Sequence, residues 1–158
     1  MHLRIPSAKK MAVARLAEYV LKFHKRNRDN SAKCDIEYTG CPKDVVHGVV
    51  YRLSAAEKMI LDDIEGLGRG YEAKQLTIET LRGELIKAFS YYATDIDPLL
   101  RPYHWYKKHV LVGARENSLP VDHIDYIEQV ISVEDDDIAR QKRELAIYDL
   151  PLQLWHKS

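Results

Sequence analysis

The sequence predicts an α+β fold, with strands and hairpins first and helices packed around them or at one end. Three observations carry this. The run Asp44-Val45-Val46-His47-Gly48-Val49-Val50-Tyr51-Arg52-Leu53 is β-branched and aromatic. Residues 71–80 and 84–94 read as two strands separated only by Leu81-Arg82-Gly83, which makes them a hairpin. After Pro102 the apolar residues shift to helical spacing. The order of elements does not favour a regular βαβ sheet.

Residues 11–24 hold Val13, Leu16, Val20, Leu21 and Phe23 in loose alternation, which fits one helix or two short strands. The polar stretch 25–33 is rich in turn formers. Residues 34–38 read as a strand centred on Ile36. In the strand at 44–53, Gly48 suggests a bulge or a close backbone approach. Ser54-Ala55-Ala56-Glu57 is a capping box that opens a helix. Ala56, Ile60 and Ile64 recur every four residues and define its expected buried stripe. Gly66 ends it, and Gly66, Gly68 and Gly70 allow a tight turn before Tyr71. Pro102 opens a helix with Tyr106, Val110 and Ala114 on one side. Pro120 opens another, to about Ile131, with Ile124, Ile127 and Ile131 inward. The acids at 134–137 suit a third helix start. The tail from Pro151 is expected to be loosely held.

Composition excludes several classes. Lys plus Arg number 24 and Asp plus Glu number 24, so nothing points to a nucleic-acid surface. Cys34 and Cys41 do not make a disulfide scaffold. No apolar run approaches the roughly 20 residues a membrane span needs. Met1-His2-Leu3-Arg4-Ile5-Pro6 lacks an apolar signal core. A soluble, cytoplasmic protein is the expectation.

Glu65 is the leading candidate for chemistry. It sits at a helix C-terminus, where the partial negative charge disfavours a carboxylate and favours its taking a proton. Bare backbone at the glycines lets a ligand approach and find N–H donors. Gly66-Leu67-Gly68-Arg69-Gly70 follows a helix rather than a strand, so it is not a dinucleotide fingerprint. Asp62, three residues before Glu65, shares its helix face, and two such acids suit a surface better than a metal. Cys34, Cys41 and His47 lack compact zinc spacing, and no metal is expected. Arg26 and Arg28 suit a phosphate or carboxylate, but a solvated loop is the plainer reading. Any of Tyr71, Tyr91, Tyr92, Tyr103 and Tyr106 can pack a ring and offer a hydroxyl.

The ordered set V-x-G-x-x-Y-x-L (46–53), L-D-x-x-E-G (61–66), G-x-Y, P-x-x-x-Y-K (102–107) and G-A-R-E-N-x-L-P (113–120) resembles the gamma-glutamylcyclotransferase family, from about Ile5 to Val130. The resemblance implies a small mixed β-barrel with helices packed outside it, over residues 1–131, with 132–158 a C-terminal helical extension and tail. It implies a gamma-glutamyl substrate whose own α-amine attacks the γ-carbonyl, closing 5-oxoproline and releasing an amine or amino acid. Glu65 is then general base and acid, while Gly66, Gly70, Tyr71 and Tyr106 line the substrate site. No cofactor is implied. Family members open with a strand ending in a Tyr-Gly-Ser-Asn loop that holds the substrate. Here Met1-His2-Leu3-Arg4 resembles sequence just after that loop. The alternative is therefore a non-catalytic binding or assembly module, with an uncovered sheet edge open to a second copy.

Overall fold

A computed structural model of the chain describes residues 5–149. The ambiguous segment 11–24 resolves into two strands, β1 (Lys9–Ala17) and β2 (Tyr19–Arg26). Glu18 alone separates them, at φ 67°, and its N–H donates to the Asp44 carbonyl at 2.8 Å. That left-handed residue sends the chain from one sheet into another. β2 pairs antiparallel with β3 (Ala32–Tyr38) as a two-stranded sheet. β1 pairs with β4 (Val45–Arg52) on one edge and with β5 (Tyr71–Thr80) on the other. β5 forms the expected hairpin with β6 (Leu85–Ala93), giving the order β4-β1-β5-β6.

The expected barrel is not formed. The two sheets stay separate, and every pairing between these strands is antiparallel. β3 lies beside β6, but side chains occupy the peptide groups a ladder would use. The Asp35 carboxylate accepts from the Ala93 N–H at 2.6 Å, and the Tyr71 hydroxyl donates to the Cys34 carbonyl at 2.6 Å.

Helix α1 (Ala55–Glu65) has the predicted capping box. The Ser54 hydroxyl accepts from the Glu57 N–H at 3.2 Å, and the Glu57 carboxylate accepts from the Ser54 N–H at 2.6 Å. Its buried face is not the expected one. Leu61 is the buried residue, packed with Ile5, Ala8, Tyr51, Leu53 and Tyr91, while Ala56, Ile60 and Ile64 face outward. The helix meets β6 through Lys58, whose ammonium lies over the Phe89 ring, and through Asp62, which accepts from the Tyr91 hydroxyl. These polar contacts set its rotation, so the period-four apolar row is left outside. Gly48 is also ordinary: it pairs with Ala14, and a Cβ there would meet nothing within 4 Å. The irregularity in that ladder lies on β1, between Lys10 and Ala12.

The larger core is built by Phe23, Ala32, Ala114, Leu119 and Ile127, with Val13, Tyr106, Val110 and Ile124 against it. It joins the two sheets' strands to α2 (His104–Glu116) and α3 (Val121–Gln129). Ile131 lies beyond the end of α3 and is exposed, contrary to expectation. Its neighbour Val130 has already turned extended and left the helical phase that would carry Ile131 inward. Asp137 caps α4 (Ile138–Leu145), accepting from the Arg140 N–H at 2.9 Å. Asp135, fully buried, ties this region to α2. It accepts from Trp105 Nε1 at 2.8 Å and from Arg140 Nε at 2.6 Å. These donors hold its carboxyl far below the usual carboxylate range. The tail from Pro151 lies outside the described residues.

Candidate functional site

The site begins where α1 stops. Gly66 takes φ 77°, its N–H donates to the Asp63 carbonyl at 3.1 Å, and the Leu67 N–H reaches the Asp62 carbonyl at 2.8 Å. This closes the helix end in a Schellman-type turn that only glycine enters without strain. The Gly68 N–H then donates to the Tyr71 carbonyl at 2.8 Å, so the glycine segment folds back on β5.

An open cleft of about 540 Å³ lies against this turn. Its lining includes Glu65, Gly66 and Arg69 from the end of α1 and the glycine turn, Lys25, Arg26 and Arg28 from the end of β2 and the turn after it, and the acids Asp63 and Asp95. Glu65 is half-buried. Arg26 is held by Asp97 at 3.0 Å and Asp95 at 3.5 Å, and Arg69 by Asp63 at 3.0 Å. Arg28, exposed, has no ion-pair partner among the described residues. The Arg26/Arg28 segment, read as a solvated loop, is thus part of the cleft.

Asp62 does not join Glu65 as a second acid. Its carboxylate is bound to Lys58 at 2.8 Å and to the Tyr91 hydroxyl at 2.5 Å, and both bonds hold it below the ordinary range. Gly70 and Tyr71 reach the cleft through Lys25. A Cβ on Gly70, at φ 116°, would meet Lys25 Cε at 3.1 Å and Nζ at 3.2 Å. The same ammonium sits 4.7 Å from the centre of the Tyr71 ring. Burial lowers the Lys25 pKa, opposed by the charges of Asp95 and Glu65.

Tyr71 and Tyr106 meet at one residue, Cys34, on the two peptide groups that flank it. Tyr71 donates to the Cys34 carbonyl, and the Tyr106 hydroxyl accepts from the Cys34 N–H at 3.0 Å. Burial pushes the Tyr106 phenol well above its usual value and the Cys34 thiol up to about 12. In this geometry both hydroxyls fasten β3. Cys34 and Cys41 are free, and His47 packs edge-on to His123 at 5.6 Å, so the three do not converge. Among the described residues no group of three metal-ligating side chains is brought together.

Lys25 was not singled out by sequence reading. Its burial depends on a bulge in β2 between Phe23 and Lys25, which lets Phe23, His24 and Lys25 all turn inward. Strict alternation would place neighbours on opposite faces.

The cleft presents a half-buried carboxylate among several cations. That arrangement suits a small ligand bearing both an amine and a carboxylate. The sequence profile of the AIG2-like family matches residues 45–129. The gamma-glutamylcyclotransferase of Bos taurus is 33% identical over 144 residues, covering 86% of this chain and 72% of that protein. The Homo sapiens gamma-glutamylcyclotransferase is 32% identical over the same shares. A solved structure of a gamma-glutamyl cyclotransferase superimposes with a TM-score of 0.77 at 27% identity, covering 90% of this chain and 89% of that one. No helix among the described residues is long and apolar enough to cross a membrane.

Proposed function

We propose, from the premise that this chain belongs to the AIG2-like, gamma-glutamylcyclotransferase family, that it converts a small gamma-glutamyl compound to 5-oxoproline and a free amine or amino acid. Residues 1–131 form the cyclotransferase-like domain in this reading. The observation that carries it is half-buried Glu65 in the lining of a cleft that Lys25 and Arg28 also line.

The chemistry needs little else. The substrate's α-ammonium must lose a proton before it can attack, and Glu65 accepts it. The amine nitrogen then bonds to the γ-carbonyl carbon, closing a five-membered ring. The C–N bond to the leaving amine breaks as Glu65 returns its proton to that nitrogen, and the second proton of the ring nitrogen passes on to the departing amine, which leaves as an ammonium. Because attack is intramolecular, holding the glutamyl group curled supplies much of the acceleration. Gly66 lines the cleft beside Glu65, Gly70 and Tyr71 stand behind it against Lys25, Tyr106 lies deeper at Cys34, and the cations of the lining favour the substrate's α-carboxylate.

The test is incubation with a panel of gamma-glutamyl dipeptides and amines, reading 5-oxoproline. The folded protein should release it from at least one, and Glu65→Gln should fold and release none. Retained activity in that variant would move the base elsewhere.

A second reading is a non-catalytic member of the family that binds such compounds. One observation favours it: the Tyr71 hydroxyl donates to the Cys34 carbonyl and the Tyr106 oxygen accepts from the Cys34 N–H, so both tyrosines are engaged with β3. Binding of gamma-glutamyl dipeptides without turnover would select it.

A further inference from the structure

The chemistry at the Glu65 cleft makes no use of a buried pair on β2 and β3. His24 and Asp35 are each more than nine-tenths buried, and His24 Nε2 lies 2.8 Å from Asp35 Oδ2. The other carboxylate oxygen accepts from the Ala93 N–H at 2.6 Å. An ionised carboxylate only accepts, so Nε2 carries the hydrogen, and in the neutral ring Nδ1 is left as a bare acceptor. Among the described residues Nδ1 has no hydrogen-bond partner.

His24 lines a cavity of about 400 Å³ that shares no lining residue with the Glu65 cleft. Phe23, Leu100, Pro102, Val130 and Ile131 supply apolar surface there. The exposed Ile131 side chain thereby belongs to a cavity wall. Most other polar groups of the lining are engaged. Lys22 and Glu37 pair at 4.0 Å, and the Tyr126 hydroxyl donates to the Leu21 carbonyl at 2.6 Å. Arg101 is exposed and has no ion-pair partner among the described residues. An apolar hollow with a few uncommitted polar groups is the usual make-up of a small-molecule site. The two here are an acceptor, His24 Nδ1, and a cation, Arg101. A metal ion suits the place less, since no three ligating side chains converge among the described residues.

We propose that this cavity binds a free amino acid with an apolar side chain. Its ammonium donates to His24 Nδ1, its carboxylate pairs with Arg101, and its side chain packs on Leu100, Val130 and Ile131. Asp35 serves the site by keeping the ring hydrogen on Nε2. The site is independent of turnover at Glu65.

The test uses L-leucine as probe, with isocaproate (no ammonium) and isoamylamine (no carboxylate) as its halves. Binding to the full chain is followed by 1H–15N spectra of the backbone and the histidine rings. Free His24 should carry its hydrogen on Nε2. L-leucine should shift the His24 ring nitrogens and the amides around the cavity saturably. Each half should bind at least about tenfold more weakly, having lost one charge-assisted hydrogen bond. Arg101→Gln, and Ile131→Lys on the apolar wall, should each weaken L-leucine about tenfold. Both side chains are exposed, so both variants should fold. Glu65→Gln should bind L-leucine as the full chain does. The proposal is overturned by a His24 hydrogen on Nδ1, by no saturable shift, or by shifts confined to the Glu65 cleft. Equal binding of either half, or undiminished binding in Arg101→Gln and Ile131→Lys, overturns it too. Release of 5-oxoproline, or its failure, bears on the Glu65 reading alone.

Discussion

Removing the Tyr106 hydroxyl separates a strand-holding role from a ligand-holding one. Tyr106→Phe keeps the ring, which packs edge-on against Phe23 at 6.4 Å, so no cavity opens. What it removes is the acceptor for the Cys34 N–H, a single bond of 3.0 Å in a part-buried place. An amide donor left without a partner costs about 1–3 kcal/mol. A loss of about 1.5 kcal/mol, within that range, is expected. For a domain of this size that lowers Tm by about 3–6 °C. Tyr71→Phe deprives the Cys34 carbonyl of its 2.6 Å donor, but a carbonyl with a second lone pair suffers less, about 0.5–1 kcal/mol. Urea unfolding followed by tryptophan fluorescence measures both. If neither variant loses more than about 0.3 kcal/mol while gamma-glutamyl turnover falls tenfold, the hydroxyls serve the substrate, and the strand-clasp account is refuted.

Four further outcomes follow from the same structure. Leu61→Ala should destabilise by about 2–4 kcal/mol while Ile60→Ala costs under about 0.5; the reverse order in urea unfolding would return α1 to the rotation its apolar spacing suggested. Ser54→Ala should cost about 1 kcal/mol through loss of the cap, read as a lower urea midpoint at unchanged slope. Asp135→Asn should destabilise by about 2–3 kcal/mol, because Arg140 and Trp105 Nε1 lose a charged acceptor; a neutral result would show that α4 docks by other means. Stability should fall as pH rises above about 9–10. Cys34 and Tyr148, pushed up to about 12, and Tyr106, pushed well up, keep their protons folded where the unfolded chain gives them up. The unfolded state then binds fewer protons, and the sign of the linkage makes unfolding easier. A urea midpoint unchanged between pH 8 and pH 11 would contradict this.

Local chemistry was the legible part of the sequence. The Ser54–Glu57 capping box, the Gly66 stop, the 71–94 hairpin and the proline-led helices are short-range signals, and each stands where its residues put it. Three features depended on distant contacts and were not legible. The split of 11–24 into strands of different sheets turns on one left-handed residue, Glu18, whose carbonyl accepts from Thr39 and whose N–H reaches Asp44. The rotation of α1 is set by Lys58, Asp62 and Tyr91, which apolar periodicity does not see. The barrel inferred from resemblance is left open because Asp35 and Tyr71 take the peptide groups between β3 and β6. Glu65 and Gly66 could be named from sequence because they are adjacent. Lys25, forty residues earlier, is brought to them by a bulge that no periodic pattern announces.

The central claim is that Glu65 moves a proton between two nitrogens of a gamma-glutamyl compound. Its most direct test is a time course of 5-oxoproline release from gamma-glutamyl dipeptides by the full chain beside its Glu65→Gln variant. Steady release by the first and none by an equally folded second is the predicted result. Release by both at similar rates, or by neither from any gamma-glutamyl compound, contradicts it.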